Sequence, residues 1–209
     1  MGDILRRRGM MVVPSSGPSP LPEWDYEWDY SDGLPTATGW TKGTSQTTSE
    51  AIEDTYLKVT SGGGSGNYIR YTNSSYLTSK GVLEVKFRGV SSSNTIFTIG
   101  ISDGTNGLSV QSIYTSSYKG IYLCDASSTA NRTKLLSLSS ATGTYTVKLV
   151  IDNGYGSVYI NGTLYADNVD LSTIVSFKTL TQFRFANNST GSGTVTGRFY
   201  SVKVKVGRT

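Results

Sequence analysis

The chain carries no histidine, and Cys124 is its one cysteine. That removes the Ser-His and Cys-His nucleophile pairs, the commonest general base near neutral pH and nearly every zinc site. No disulfide can form within the chain, so the fold must stand on its core. The acid–base chemistry that remains belongs to carboxylates. Cleaving a glycosidic bond with retention needs an acid and a nucleophile about 5 Å apart. Glu53 and Asp54 are adjacent, so on a strand they point to opposite faces. The alternating stretch Val82 to Arg88 offers only Glu84, followed by Lys86 and Arg88. No carboxylate pair emerges, and the expectation is a protein that is not an enzyme.

Binding chemistry is better represented. Tyrosine rings suit the C–H side of a sugar and amides suit its hydroxyls. Tyr114, Tyr118, Tyr122, Tyr155 and Asn131 are the candidates for carbohydrate binding. Asp103, Asn106, Asp125, Asp152, Asn153, Asp167 and Asp170 sit in or near loops. Their oxygens are of the type calcium takes, but Asp and Asn are also ordinary turn formers. No D-x-D-x-D-G spacing occurs, so no cofactor is expected, and calcium stays open on ligand type alone. The Gly62-Gly63-Gly64 run lacks a following Lys-Ser/Thr and helix, so it is no phosphate cradle.

These residues must be positioned by strands. From Tyr145 to Ile151 the chain alternates, with Tyr145, Val147, Leu149 and Ile151 on one face, as a half-buried strand requires. Asp152-Asn153-Gly154-Tyr155-Gly156 tolerates a reversal, and Asn161-Gly162 is a strong type I′ hairpin signal. Leu83, Val85 and Phe87 oppose Val82, Glu84, Lys86 and Arg88. Tyr56 to Thr60 reads as a strand, with Asn67 to Tyr71 pairing back on it. Thr41 to Glu50 reads as a polar loop, and Leu171 to Lys178 as a helical turn or loop. The closing strand, Gly197 to Val206, places Phe199, Ser201, Lys203 and Lys205 on one face and Tyr200, Val202, Val204 and Val206 on the other. The repeat EWDY-EWDY would put Trp24, Tyr26, Trp28 and Tyr30 on one strand face. Its first reading is an edge strand with indoles over the core. Its second is a patch, Trp24 and Trp28, packing on a neighbouring subunit or on sugar rings. Some eleven to thirteen short strands with regular turn signals argue an all-β, two-sheet antiparallel jelly-roll sandwich.

The chain's 209 residues suit one such sandwich with an extended N-terminal arm. Residues 1–13 read as an anchor peptide built on Ile4, Leu5, Arg6, Arg7 and Arg8. Residues 14–22 read as a stiff Pro/Ser linker, and residues 23–209 as the sandwich. The start lacks a long apolar run and a small-residue cleavage site, so it does not read as a signal peptide. No apolar run approaches 18 residues, and no membrane partner is expected. The formal net charge is +4. The Lys and Arg beyond the arm are scattered along the chain, which reads as a solvated surface and not as a nucleic-acid stripe.

The pattern Y-x-V-x-L-x-I, a Gly-containing turn, then V-Y-I-N-G-x-L resembles the late meander of concanavalin A-like (laminin G-like) jelly rolls. Asp32-Gly33-Leu34-Pro35 followed by Trp40 resembles their opening, where such a turn precedes a buried Trp. The resemblance implies the fold, over about residues 24–206. It leaves function open among lectins, glycosidases and adhesion modules. Jelly-roll glucanases carry a Glu-x-Asp-x-x-Glu strand, which this chain lacks. The opening Arg-Arg-Arg-Gly-Met-Met is similar to the starts of structural proteins of tailed phages. That resemblance implies a non-catalytic virion appendage: a head fibre, capsid decoration or tail-tip receptor binder. Residues 1–22 would dock on other virion proteins, and an oligomer, guessed as a trimer, would display the sandwich to cell-surface or mucosal glycan. The alternatives are a glycan hydrolase or lyase, and a purely structural module.

Overall fold

The computed structural model describes residues 23–44, 48–61, 68–73, 79–89, 95–102, 107–125, 132–140, 142–174, 182–189 and 195–209. Among them run fifteen strands: β1 Tyr26–Asp29, β2 Thr41–Thr44, β3 Thr48–Glu53, β4 Tyr56–Ser61, β5 Tyr68–Asn73, β6 Lys80–Gly89, β7 Thr95–Ser102, β8 Gly107–Tyr114, β9 Lys119–Asp125, β10 Arg132–Ser137, β11 Thr144–Asp152, β12 Tyr155–Ile160, β13 Thr163–Asp170, β14 Gln182–Ser189 and β15 Val195–Val206. All pairings are antiparallel. One sheet runs β13-β12-β11-β6-β15-β4-β3, with β1 also paired to β15; the other runs β10-β9-β8-β7-β14-β5-β2. This is a two-sheet jelly-roll sandwich.

The sheets face each other across an apolar core. Leu83, Val85 and Phe87 of β6 and Val147, Leu149 and Ile151 of β11 are buried as their alternation requires. Phe185 sits among rings: Tyr71 stacks on it at 4.8 Å, Phe199 lies at 5.1 Å and Trp40 meets it edge-on at 5.2 Å. Trp40 is thus the buried Trp expected after Asp32-Gly33-Leu34-Pro35. Both hairpins of the meander close as expected. Asn153 and Gly154 have φ 49° and 88°, and Asn161 and Gly162 have φ 50° and 79°, the left-handed values a type I′ turn requires at both central positions.

Four expectations are corrected. Thr41 to Glu50 is not all loop: β2 and the first half of β3 lie there. Their side chains are largely exposed, so no buried periodicity marks them. β5 does not pair back on β4. The chain crosses from one sheet to the other, and β5 pairs with β14 and β2. In the closing strand, a bulge between Phe199 and Ser201 inserts one residue and inverts the alternation. Phe199 is therefore buried on the same side as Val202 and Val204, while Tyr200 stands on the outer face. Finally, Trp28 is 2% exposed and belongs to the core, so it is no subunit contact. Its indole N–H donates to the Gly33 carbonyl at 3.0 Å.

Trp24 leaves the expected shared face. It lies on the outer surface with Lys205 and Lys203 at 4.9 and 5.6 Å from its ring, because the strand begins only at Tyr26. Leu171–Thr173 forms a 3-10 turn, with Leu171 buried and Asp170 accepting from the Ser172 N–H. Ile4, Leu5, Arg6, Arg7 and Arg8 lie outside the described residues, as do the boundaries proposed at 13 and 22.

Candidate functional site

The corner built by β8, β9 and β10 gathers three of the predicted sugar-binding residues' neighbours. β8 and β9 close a hairpin in which Tyr114 pairs with Lys119. The turn is pinned by the Thr115 N–H donating to the Tyr118 carbonyl at 2.7 Å, and by the Tyr118 N–H donating to Thr115 Oγ1 at 3.0 Å. β10 then lays Arg132 opposite Cys124 and Lys134 opposite Tyr122. A bulge follows between Lys134 and Leu136.

The side chains at this corner are ordered by ring contacts. Tyr118 is 45% exposed. The Arg132 guanidinium lies 4.3 Å from its ring centroid, and Tyr122 meets it edge-on at 6.2 Å. Arg132 is also 5.8 Å from the Tyr122 ring. Tyr114, half-buried, donates its hydroxyl to the Ser139 carbonyl at 3.1 Å and carries Lys119 at 5.4 Å over its ring. Gly120 admits this crowding. A Cβ there would lie 3.0 Å from both Lys134 Cε and a Tyr122 ring carbon, and 2.7 Å from the Leu136 carbonyl oxygen.

Beneath the corner, the outer face of β8 and β9 is polar but enclosed. Ser109 and Gln111 are buried, and Gln111 Nε2 donates to Ser109 Oγ at 3.1 Å. Cys124 donates its thiol to the Ser109 carbonyl at 3.6 Å. Burial pushes that thiol up to about 11, so it stays protonated at neutral pH and is a poor nucleophile.

The predicted set does not form one rim. Tyr118 and Tyr122 come together, but Tyr114 packs on the core from the inner face of β8, and Tyr122 is 6% exposed and offers no open face. Its place is structural, under Tyr118 and Arg132. Tyr155 is exposed but stands opposite Asp152 at the far end of β11. Thr144, at the near end, follows closely on Ser139, and eight residues of strand put roughly 26 Å between the two ends. Asn131 lies outside the described residues. Sequence reasoning missed Arg132, Lys119 and Lys134. The Arg-x-Lys alternation of β10 could have marked an outward cationic row.

Asp125 ends β9 beside Cys124, the residue opposite Arg132, and the carboxylates that follow are placed apart from this corner. Glu53 accepts from Lys58 Nζ at 3.0 Å and from the Tyr56 hydroxyl at 2.9 Å. The Lys58 hydrogen bond, joined by that of Tyr56, holds its carboxyl below the ordinary range. Asp54 is a turn residue with φ 36°. Glu84 lies in register between Lys148 and Lys203 on the outer face of the eight-stranded sheet. Asp152 is paired with Lys80 at 2.9 Å, and Asp167 accepts from Ser157 at 3.1 Å. Among the described residues no three of His, Cys, Asp and Glu gather as metal ligands. Asp103 and Asn106 lie outside those residues.

Sheet number, strand order and the antiparallel meander define a concanavalin A-like jelly roll, the class the sequence pattern resembled. The chain is similar in fold to the Crh5 transglycosylase in complex with NAG, at TM-score 0.68 and 11% identity over 87% of this chain and 83% of that one. It is similar to the laminarinase from Flavobacterium sp. UMI-01, at TM-score 0.64 and 12% identity over 87% and 99%. It is also similar to the Bacillus licheniformis β-glucanase, at TM-score 0.62 and 9% identity over 86% and 97%. No protein-family model and no curated protein matches the chain. The expectation that the protein is not an enzyme is corrected by these neighbours. A transglycosylase, a laminarinase and a β-glucanase are built on this fold. The missing histidine and the unpaired Glu84 are therefore no ground for excluding catalysis.

Proposed function

We propose that this chain is a carbohydrate-active jelly roll that holds a saccharide at the β8–β9–β10 corner. The observation that carries the site is Tyr118. Arg132 covers one face of its ring at 4.3 Å, Tyr122 buttresses its edge, and nearly half of the residue is open to solvent. A ring held this way presents its free face as a platform at little cost in side-chain entropy. Arg132 and Lys134 supply donors beside it for hydroxyl or acid groups. The glycan-processing names of the neighbouring folds support turnover over passive display.

The test is affinity electrophoresis together with release of reducing ends, on laminarin, mixed-linkage β-glucan and chitin oligomers. Tyr118→Ala is expected to weaken retardation about tenfold, the scale of one lost ring contact, while leaving the melting temperature near that of the parent. Release of reducing ends by the parent supports turnover. A parent protein that neither binds nor cleaves any of these glycans overturns the proposal. Attachment to a virion through residues 1–22, and a trimer, are carried by the sequence alone. Failure of a chain lacking residues 1–22 to join particles would support that attachment; normal incorporation would refute it.

A further inference from the structure

The outer face of the eight-stranded sheet, on the other side of the sandwich, gathers charge that is scattered in the sequence. Arg88 of β6 stands opposite Arg198 of β15, and Arg198 stands opposite Lys58 of β4. Three cations thus occupy successive register positions across three strands, spanning two inter-strand gaps or about 10 Å. Like charges directly opposite one another destabilise a sheet. The carboxylate that reaches this row is Glu53, 3.0 Å from Lys58 Nζ. The neighbouring positions on the same face add Lys86, Lys148 and Lys203, with Glu84 between the last two.

These cations are held flat. The Arg198 guanidinium lies 4.4 Å from the Tyr56 ring centroid, Lys86 Nζ lies 5.6 Å from that of Tyr200, and Lys148 Nζ lies 5.0 Å from that of Tyr159. Arg88 Nε donates to the Thr142 carbonyl at 3.0 Å. Tyr56 and Tyr200 meet edge-on at 6.0 Å. The bulge at Phe199–Ser201 is what turns Tyr200 outward into this array.

We infer that this face binds an acidic polysaccharide, one bearing carboxylate or sulfate groups along its length. A linear polyanion laid across the row relieves the repulsion among Arg88, Arg198 and Lys58. The rings are already occupied by cations, so they offer no stacking platform for unpaired bases, on which single-strand recognition depends. Among the described residues the sheet face projects no helix or ribbon into a duplex groove, where base edges are read. Charge suits either polyanion, and the occupied rings and the flat sheet favour the acidic glycan over nucleic acid. The site is separate from the Tyr118 corner and stands or falls without it.

The test uses the full chain in gels containing polygalacturonate, dextran sulfate or neutral dextran, with duplex DNA as a competitor in solution. Retardation by the two polyanions and not by neutral dextran is expected, falling steeply as salt rises from about 50 to 200 mM. Arg88→Thr combined with Lys58→Thr is expected to weaken polyanion binding about tenfold or more while the far-ultraviolet dichroism spectrum stays that of the parent. Lys42→Gln, on the other sheet and in neither binding site, is expected to leave this binding unchanged. No retardation, retardation equal in neutral dextran, or insensitivity to the double substitution overturns the inference. Tighter binding to duplex DNA than to either polysaccharide overturns the choice of ligand.

Discussion

The residue that best shows how a polar group is accommodated in this core is Tyr71. It is 1% exposed and stacked on Phe185, yet its hydroxyl reaches Glu50, which Lys42 also meets at 2.5 Å. Glu50 comes from one sheet, Tyr71 and Lys42 from the other, so the three groups clasp the sandwich shut at its β2–β3 edge. Burial first, then the Glu50 hydrogen bond, pushes the phenol's pKa up, so it stays a donor at all ordinary pH. Tyr71→Phe is expected to lower stability by about 1–3 kcal/mol, the cost of leaving a buried acceptor short of a donor, measured by denaturant unfolding. Glu53 gives a pH-dependent counterpart. Its lowered pKa means that its ion pair with Lys58 contributes fully above the ordinary carboxylate pKa and is lost as pH falls through the lowered value. Glu53→Gln is therefore expected to melt earlier than the parent at neutral pH, the difference closing below about pH 4. An equal difference at every pH would remove Glu53 from the account.

At the scale of elements, the spacing between sheets depends on small residues opposite large ones. Gly81 of β6 faces Phe183 of β14, and a Cβ there would lie 2.9 Å from the ring and 3.0 Å from the Lys205 carbonyl oxygen. The ring is fully buried and the carbonyl is backbone, so neither yields easily. Gly81→Ala is expected to cost about 1–3 kcal/mol as overpacking, read as a drop in the melting temperature. The central meander was legible residue by residue, because Val147, Leu149 and Ile151 and the two Asn/Asp-Gly turns encode it locally. β2 was not, because Thr41–Thr44 buries no side chain and is held by backbone pairing with β5 and by the reach of Lys42 to Glu50. The β15 bulge was hidden for a related reason. Strict alternation was read through Tyr200, and only pairing with β6 shows that one residue is extra.

For the molecule as a whole, one continuous core joins both sheets. Unfolding is accordingly expected to be a single cooperative transition, with tryptophan fluorescence and far-ultraviolet dichroism superimposing. Two separate midpoints would mean that the sheets come apart independently. Among the described residues, Trp24 and Asp25 are the first to tie the chain to β15, Trp24 under Lys205 and Asp25 through the Val206 N–H at 2.7 Å. Removing residues 1–22 is therefore expected to leave that midpoint unchanged. The candidate corner was half visible from the sequence. Tyr114, Tyr118 and Tyr122 lie within one hairpin, but Tyr114 turns to the core side, and Arg132 reaches the other two only because β10 folds back on β9. Tyr155, equally exposed, is carried to the far end of β11.

Local patterning determined the kind of fold. Period-two burial, turn residues with positive φ and a chain without His or disulfide could describe little else than a layered β body. Which strands became neighbours was decided by the tertiary structure alone, since register is a property of pairs and not of segments. That pairing set Arg88, Arg198 and Lys58 side by side from positions 30 and 110 residues apart, placed Arg132 over Tyr118, and took Tyr122 out of solvent.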